Sequence, residues 1–552
     1  MQTHTWYKDL LFLTAAFLGF AVLTIFLMAA DRVRQPKSFD PASSEQRDIE
    51  IASRRVDNAF ETDWQEHGLN VQTAARADDL TIARRLSLGL MGTLPSLQEI
   101  REFESQPSDL RIQWWVSHLL EDRRTSNQIA ERMARAFVGV DDGPFLIFRR
   151  HRFTKWLSDK IFDNQRYDSI VRELLTREGL WTDTPAVNFY TKTVADEGTP
   201  DPIVLAGRTS RAMLGMRIDC LQCHDDFLGT INLGSAEDPD SGAQTDFHSL
   251  AAFFARTNLS LLGITEGGDR NYTYKLLHDD EETVIKPAVP FHRELVDNSQ
   301  EVLSVRLANW VTHPRNRPFS RAVVNRIWAI VCGKPMIEPV DDIPLEGPFP
   351  RAMEVLVDDF VAHEFDLQRL IRIIAGTATF QRDSEADFEI TAVHDQNWMV
   401  FPLMRLRPDQ VAGAVIQSVS LTTIDSTSHI VQQLAKFGQQ NEFVKRYGDA
   451  GENEFQTRGE TVTQRLLMLN GEMIKEQLQS GLNSPQHIGV LSPETRKSIE
   501  TVYLATLTRR PSGQELEYFR ARLDGFSGDE YTEKVQDLYW TLINSIEFVW
   551  NH

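Results

Sequence analysis

The sequence predicts a mainly α-helical protein: two helical domains joined by a short β-hairpin and loop region, behind an N-terminal transmembrane helix. Three observations carry that expectation. Apolar residues recur at helical spacing over most of the chain beyond residue 50. An uncharged run of 21 residues, Leu10 to Ala30, stands near the amino terminus. Residues 225 to 246 and 264 to 290 are rich in Asp, Gly and Pro, which interrupt helices. At 552 residues, 41% hydrophobic and 25% charged, the chain is globular in composition and too long for one typical domain.

Taken in order, residues 1–34 form the membrane anchor. A helix over LLFLTAAFLGFAVLTIFLMAA, at about 1.5 Å per residue, spans a hydrocarbon core of roughly 30 Å. The small residues Ala29 and Ala30 before Asp31 leave signal-peptide cleavage as the alternative. Residues 35–49 are a polar linker. Residues 50–262 form the first helical domain. Leu80, Ala83, Leu86 and Leu90 share one helix face, which the Gly92-Thr93-Leu94-Pro95 turn ends. Ser96 with Glu99 is a capping-box pair, and Ser108 opens a segment carrying Trp115, Leu119 and Leu120. The DPIVLAGRTSRAMLGMRID segment reads as one helix leading to residue 219. In the 263–295 connection, Tyr272–Tyr274 and Thr283–Ile285 are two short strands about a polar turn. Residues 296–552 form the second helical domain. Within it, Ser492-Pro493 starts a helix with Ile499, Val502, Tyr503 and Leu507, and Ser512 with Glu515 starts the next. The closing VQDLYWTLINSIEFVW stretch is amphipathic.

Lys and Arg number 58 against 79 Asp and Glu, a net charge of −21. That excludes a general nucleic-acid binder, which needs a cationic surface. Three cysteines cannot brace a chain this long, so a disulfide scaffold is excluded too. Two of the three lie in Cys220-Leu221-Gln222-Cys223-His224, the CxxCH pattern of covalent c-type haem attachment. The chemistry accounts for each position: two thiols add across the two haem vinyl groups, and the adjacent His224 reaches the iron as proximal ligand. A redox dithiol or a metal site is the competing reading of the same pair. The dithiol wants a strand before it and a helix after it, and zinc wants further ligands nearby. His248 is a candidate distal iron ligand, with a surface or capping role as its alternative. Met213 and Met216 read as packing residues, and Cys332, in the apolar WAIVCG run, as a buried inert thiol.

Other constellations are weaker. His363-Glu364 begins HExxH, but Leu367 stands where the second histidine belongs. Asp238–Gly242 lacks calcium-loop spacing and reads as a solvated loop. The clusters Arg149-Arg150-His151-Arg152 and Arg315, Arg317, Arg321 and Arg326 are expected to pair with carboxylates such as Glu338, Asp341 and Asp342. Their alternative role is to bind an anion, haem propionates included.

MRIDCLQCHDDF followed by DFHSLAAFF resembles the planctomycete-type cytochrome domain of unknown function, as do LTIARRLSLGLMGTLPSLQEI and RFTKWLSDKIFDNQRYDSIVRELLTREG upstream. HPRNRPFSRAVVNRIWAIVCGKPMIEPVDDI, FDLQRLIRIIAGTATFQRDS and FPLMRLRPDQVAG resemble the helical domain that habitually follows it. The resemblance covers residues 50 to 552. It implies a membrane-linked or exported protein with a haem role, and with no shared catalytic activity established for the family it implies architecture more than function. Relatives often carry a second histidine where this chain has Asp226, and usually an aromatic where it has His248.

The expectation is therefore a single-pass, membrane-anchored haem c protein transferring one electron at a time, served by a redox partner protein. Lys8 precedes the anchor while Arg32, Arg34 and Lys37 follow it, which alone would keep the body cytoplasmic. Haem is attached after export, and that places the body in the periplasm or an equivalent compartment, on the inner membrane. A carbohydrate-active or other hydrolase using carboxylates of the middle region, and a non-catalytic scaffold, are the alternatives from other classes. No catalytic residue is identified for either.

Overall fold

The computed structural model describes residues 39–552 apart from 70–71, 141–143, 145–146, 195–197, 235–238, 421, 426–429, 450, 452–454, 456–460 and 471–493. The expected transmembrane helix, Leu10–Ala30, lies outside the described residues. Among those described, no helix is long and apolar enough to cross a membrane. Among the described residues helices dominate, and the strands form three two-stranded pieces.

The first helix, α1 (Ser44–Glu66), begins inside the expected linker because Ser43 caps it, accepting from the Gln46 amide at 3.1 Å. Its Ile49, Ala52, Val56 and Phe60 recur on one buried face. Asp78 caps α2 (Asp79–Met91) by accepting from Leu80 and Thr81, and Gly92 ends it in the left-handed conformation. The Ser96–Glu99 box opens α3 (Leu97–Glu104) with both reciprocal bonds formed. The next helix, α4 (Arg111–Glu121), starts three residues after Ser108 and without a side-chain cap, and it buries Trp115, Leu119 and Leu120 as expected.

The cores do not follow chain order. α2 is buried all round: Leu86 and Leu90 join the larger core, while Leu88 joins the smaller. On one side Gly89 lets it approach α5 (Arg317–Cys332), where a Cβ at residue 89 would stand 2.9 Å from the Val331 carbonyl oxygen. On the other it meets α6 (Pro408–Ser418): Gln410 Nε2 donates to the Leu88 carbonyl at 2.8 Å, and Thr93 Oγ1 donates to that of Gly413 at 2.9 Å. The distant segments LSLGLMGTLP and RPDQVAG thus form one contact. The smaller core also takes Val502 and Tyr503 from α7 (Thr495–Leu507) and Val535 and Tyr539 from α9 (Gly528–Ile543). Ser512 and Glu515 cap the intervening α8 (Gly513–Leu523) reciprocally. Ser492-Pro493, the expected start of α7, lies outside the described residues. Phe39–His552 is a single unit built on these two cores.

Of the hairpins, β3 (Tyr272–Tyr274) with β4 (Thr283–Ile285) matches the sequence expectation, with Thr273 opposite Val284. β1 (Thr257–Ser260) with β2 (Gly263–Glu266) was not expected. Its pattern is short and lacks alternation. Gly263, at φ +105°, admits a backbone contact with Gly179 that any side chain would block, since a Cβ would lie 2.0 Å from the Gly179 oxygen.

Candidate functional site

The segment before the cysteine motif differs from the single helix expected. Asp201 caps a short helix over Pro202–Arg208, which widens into one π turn over Thr209–Met213. Gly215, at φ +66°, then turns the chain. The break is locked by Ser210, whose carbonyl accepts from the Met216 amide and whose hydroxyl donates to the Met216 carbonyl at 2.7 Å. Met213 and Met216 are buried, as packing residues should be.

The motif itself is a 3-10 turn over Asp219–Gln222. In such a turn residues three apart eclipse, so Cys220 and Cys223 project from one side while Asp219 and Gln222 share another. Leu221 is the buried anchor, and both thiols are exposed and free of disulfide. Burial, and the charge of Asp226, hold the Cys220 thiol above its ordinary value. A catalytic dithiol needs the opposite, an environment that lowers a thiol's pKa. Among the described residues no group of three His, Cys, Asp or Glu side chains could hold a metal ion.

His224 is exposed, and its Nδ1 lies 2.7 Å from the Asp225 carbonyl oxygen. A carbonyl only accepts, so Nδ1 is the donor, and in the neutral ring Nε2 is the open nitrogen. The ring stacks on the exposed Phe227 at 5.9 Å between centroids.

His248 comes to the motif from α10 (Gln244–Ala251) and is neither a surface nor a capping residue: it is 0% exposed. Its Nε2 donates to the Gln222 carbonyl at 3.0 Å, which leaves Nδ1 to accept from the Tyr272 hydroxyl at 2.8 Å. The ring lies 3.6 Å from the Tyr274 ring, centroid to centroid. Burial pushes the imidazole below its usual pKa, partly offset by the bond to Gln222. With both nitrogens engaged, His248 serves the turn as a positioning residue in this arrangement.

The Gln222 carbonyl accepts a second bond, 3.0 Å from Gln244 Nε2, while Gln244 Oε1 accepts from the Leu277 amide at 2.8 Å. Sequence reading missed Gln244 and Tyr272. The signals were the four-residue spacing of Gln244 and His248 on one helix face, and the alternation that sets Tyr272 and Tyr274 on one side of β3.

Of the arginine clusters, Arg150 pairs with Glu131 at 2.8 Å. Arg317 and Arg321 pair with Glu354, and Arg317 also with Asp358, in place of the expected Glu338 and Asp342. Asp341 is taken by Arg217 at 2.8 Å and Arg211 at 3.3 Å. Glu354 and Asp358 lie one turn apart on the helix Arg351–Ala362, which packs on α5, a proximity that sequence separation hides. Cys332 is fully buried, and burial raises its thiol pKa well above the ordinary value.

Comparison with known families matches residues 55–259 to PSCyt2, a protein of unknown function (DUF1549). Residues 305–442 match PSD1, a protein of unknown function (DUF1553). In that order they match the planctomycete-type domain pair. No curated protein and no solved structure matches the chain. The PSCyt2 stretch contains the whole CxxCH turn and α10. At Asp226 the carboxylate accepts from the amides of Leu228 at 3.2 Å and Ile231 at 2.5 Å and from the Thr230 hydroxyl. These bonds hold its carboxyl below the usual range. Asp226 closes the loop after the motif and is not a nitrogen ligand.

Proposed function

We propose that this chain is a c-type haem protein that transfers single electrons outside the cytoplasm, held to the inner membrane by Leu10–Ala30. Cys220 and Cys223 attach the haem and His224 is its proximal ligand. The observation that carries the reading is the state of His224: Nδ1–H is spent on the Asp225 carbonyl, and the exposed Nε2 makes no hydrogen bond among the described residues. Histidines that ligate metals are oriented this way, one nitrogen held by a carbonyl and the other open. The paired, exposed thiols on one side of the turn support it further.

Bound haem supplies the one-electron couple of its iron. The protein's part is to hold the turn. Gln222 takes bonds from Gln244 and His248, Leu221 is buried, and Asp226 shapes the following loop. The exposed Phe227 and Leu228 beside His224 give a redox partner protein an apolar contact.

Co-expression with a c-type maturation system tests the assignment. Cys220→Ser and Cys223→Ser each reduce or abolish covalent haem on a denaturing gel, and Cys332→Ser leaves it unchanged. Equal haem in all three variants would remove the motif from the account.

A further inference from the structure

A cleft of about 320 Å³ opens beside the motif, on the side of the turn that carries Asp219 and Gln222. Arg208, Arg211 and Arg326 line it, with Ile203 and Val204 as apolar wall. Its acids have partners of their own, although Asp219 keeps one buried oxygen without a hydrogen bond. Asp201 accepts from the Ile203 and Val204 amides, Asp341 pairs with Arg217, and Asp219 lies 3.4 Å from Arg211 Nε. Arg326 differs. It is 8% exposed, yet among the described residues it makes no hydrogen bond and no ion pair. Its charge acts on the Tyr167 phenol, a neutral group. Arginines buried to this degree are ordinarily paired, as Arg321 is, one and a half turns earlier on the same helix.

We propose that the cleft is a carboxylate-binding site with Arg326 as its anchor. The planar guanidinium offers two parallel N–H donors to a carboxylate, and the apolar wall accepts a short aliphatic chain. A volume near the lower end of small-molecule sites suits a small acid or one carboxylate arm of a larger group. The carboxylate has two sources: a free small acid, or a propionate of haem held on the adjacent face of the turn. The site itself does not depend on haem being attached.

The test titrates ¹³C-propionate into the full chain and reads its line broadening by NMR, with chloride matching the ionic strength. The haem-free Cys220→Ser/Cys223→Ser chain binds propionate, and Arg326→Gln in that background weakens binding about tenfold or more. Val204→Phe, which fills the cleft mouth without touching the buried charge, does the same and covers the case in which the Arg326 variant fails to fold. If haem-loaded chain no longer binds propionate, the haem carboxylate is the occupant; if it binds as before, the occupant is a free acid. Propionate that does not bind the haem-free chain, or binds equally when both residues are changed, overturns the proposal. Absence of covalent haem would sink the haem reading and leave this site standing.

Discussion

Replacing His248 by alanine removes the link between α10 and the cysteine turn. The change deletes the donor to the Gln222 carbonyl at 3.0 Å and the acceptor of the Tyr272 hydroxyl at 2.8 Å. It also deletes the ring stacked on Tyr274. Each hydrogen bond contributes about 0.5–1.5 kcal/mol and the ring contact a similar amount. Gln244 still donates to Gln222, so part of the turn's support survives. The net cost is about 2–3 kcal/mol, which makes local opening roughly 30- to 150-fold easier. Hydrogen exchange of the Leu221 and Cys223 amides reads this directly, since both close the turn. pH adds a sign. Burial lowers the His248 pKa in the closed turn, so the opened state takes up a proton first as pH falls from the ordinary value of 6.5. The stabilisation by His248 is therefore complete above about 6.5 and declines below it. The variant-to-wild-type exchange ratio should shrink between about pH 8 and about pH 5. A ratio near one at the higher pH, or one that grows on acidification, would refute the buttress.

Two further outcomes follow from packing and burial. Gly413→Val places a Cβ 2.4 Å from the Gly92 carbonyl oxygen at the α2–α6 contact, and calorimetry should show a destabilisation of about 1–3 kcal/mol or more; an unchanged melting temperature would mean that α2 and α6 do not touch there. In chain made without haem, native alkylation should label Cys220 and Cys223 and spare Cys332, which reacts only after denaturation; a labelled Cys332 in native protein would contradict its burial.

Much of the fold was legible where local chemistry decides. Ser96 with Glu99, Ser512 with Glu515, the Gly92 stop and the β3–β4 strands all depend on residues within a few positions of one another. The early start of α1 was hidden because Ser43 sits in a stretch whose polarity reads as linker. The break before the motif was hidden because Gly215 follows a strong helical pattern, and only the Ser210–Met216 bonds reveal it. Of the site, the two thiols and His224 were legible as a motif. His248 was legible as a residue, but not as the buried partner of Gln222 and Tyr272, since those contacts join three separate elements. Arg326 was grouped with its neighbours by sequence, and only the fold shows that Arg317 and Arg321 reach Glu354 while Arg326 reaches no acid among the described residues. Long-range pairing of charges carries no signature in a single sequence.

The most direct measurement is the intact mass, with a pyridine haemochrome spectrum, of full-length protein after export through a c-type maturation system. The account predicts one covalent haem per chain, with Cys220 and Cys223 no longer available to alkylation. Exported protein that carries no haem mass and two alkylatable surface thiols would contradict it.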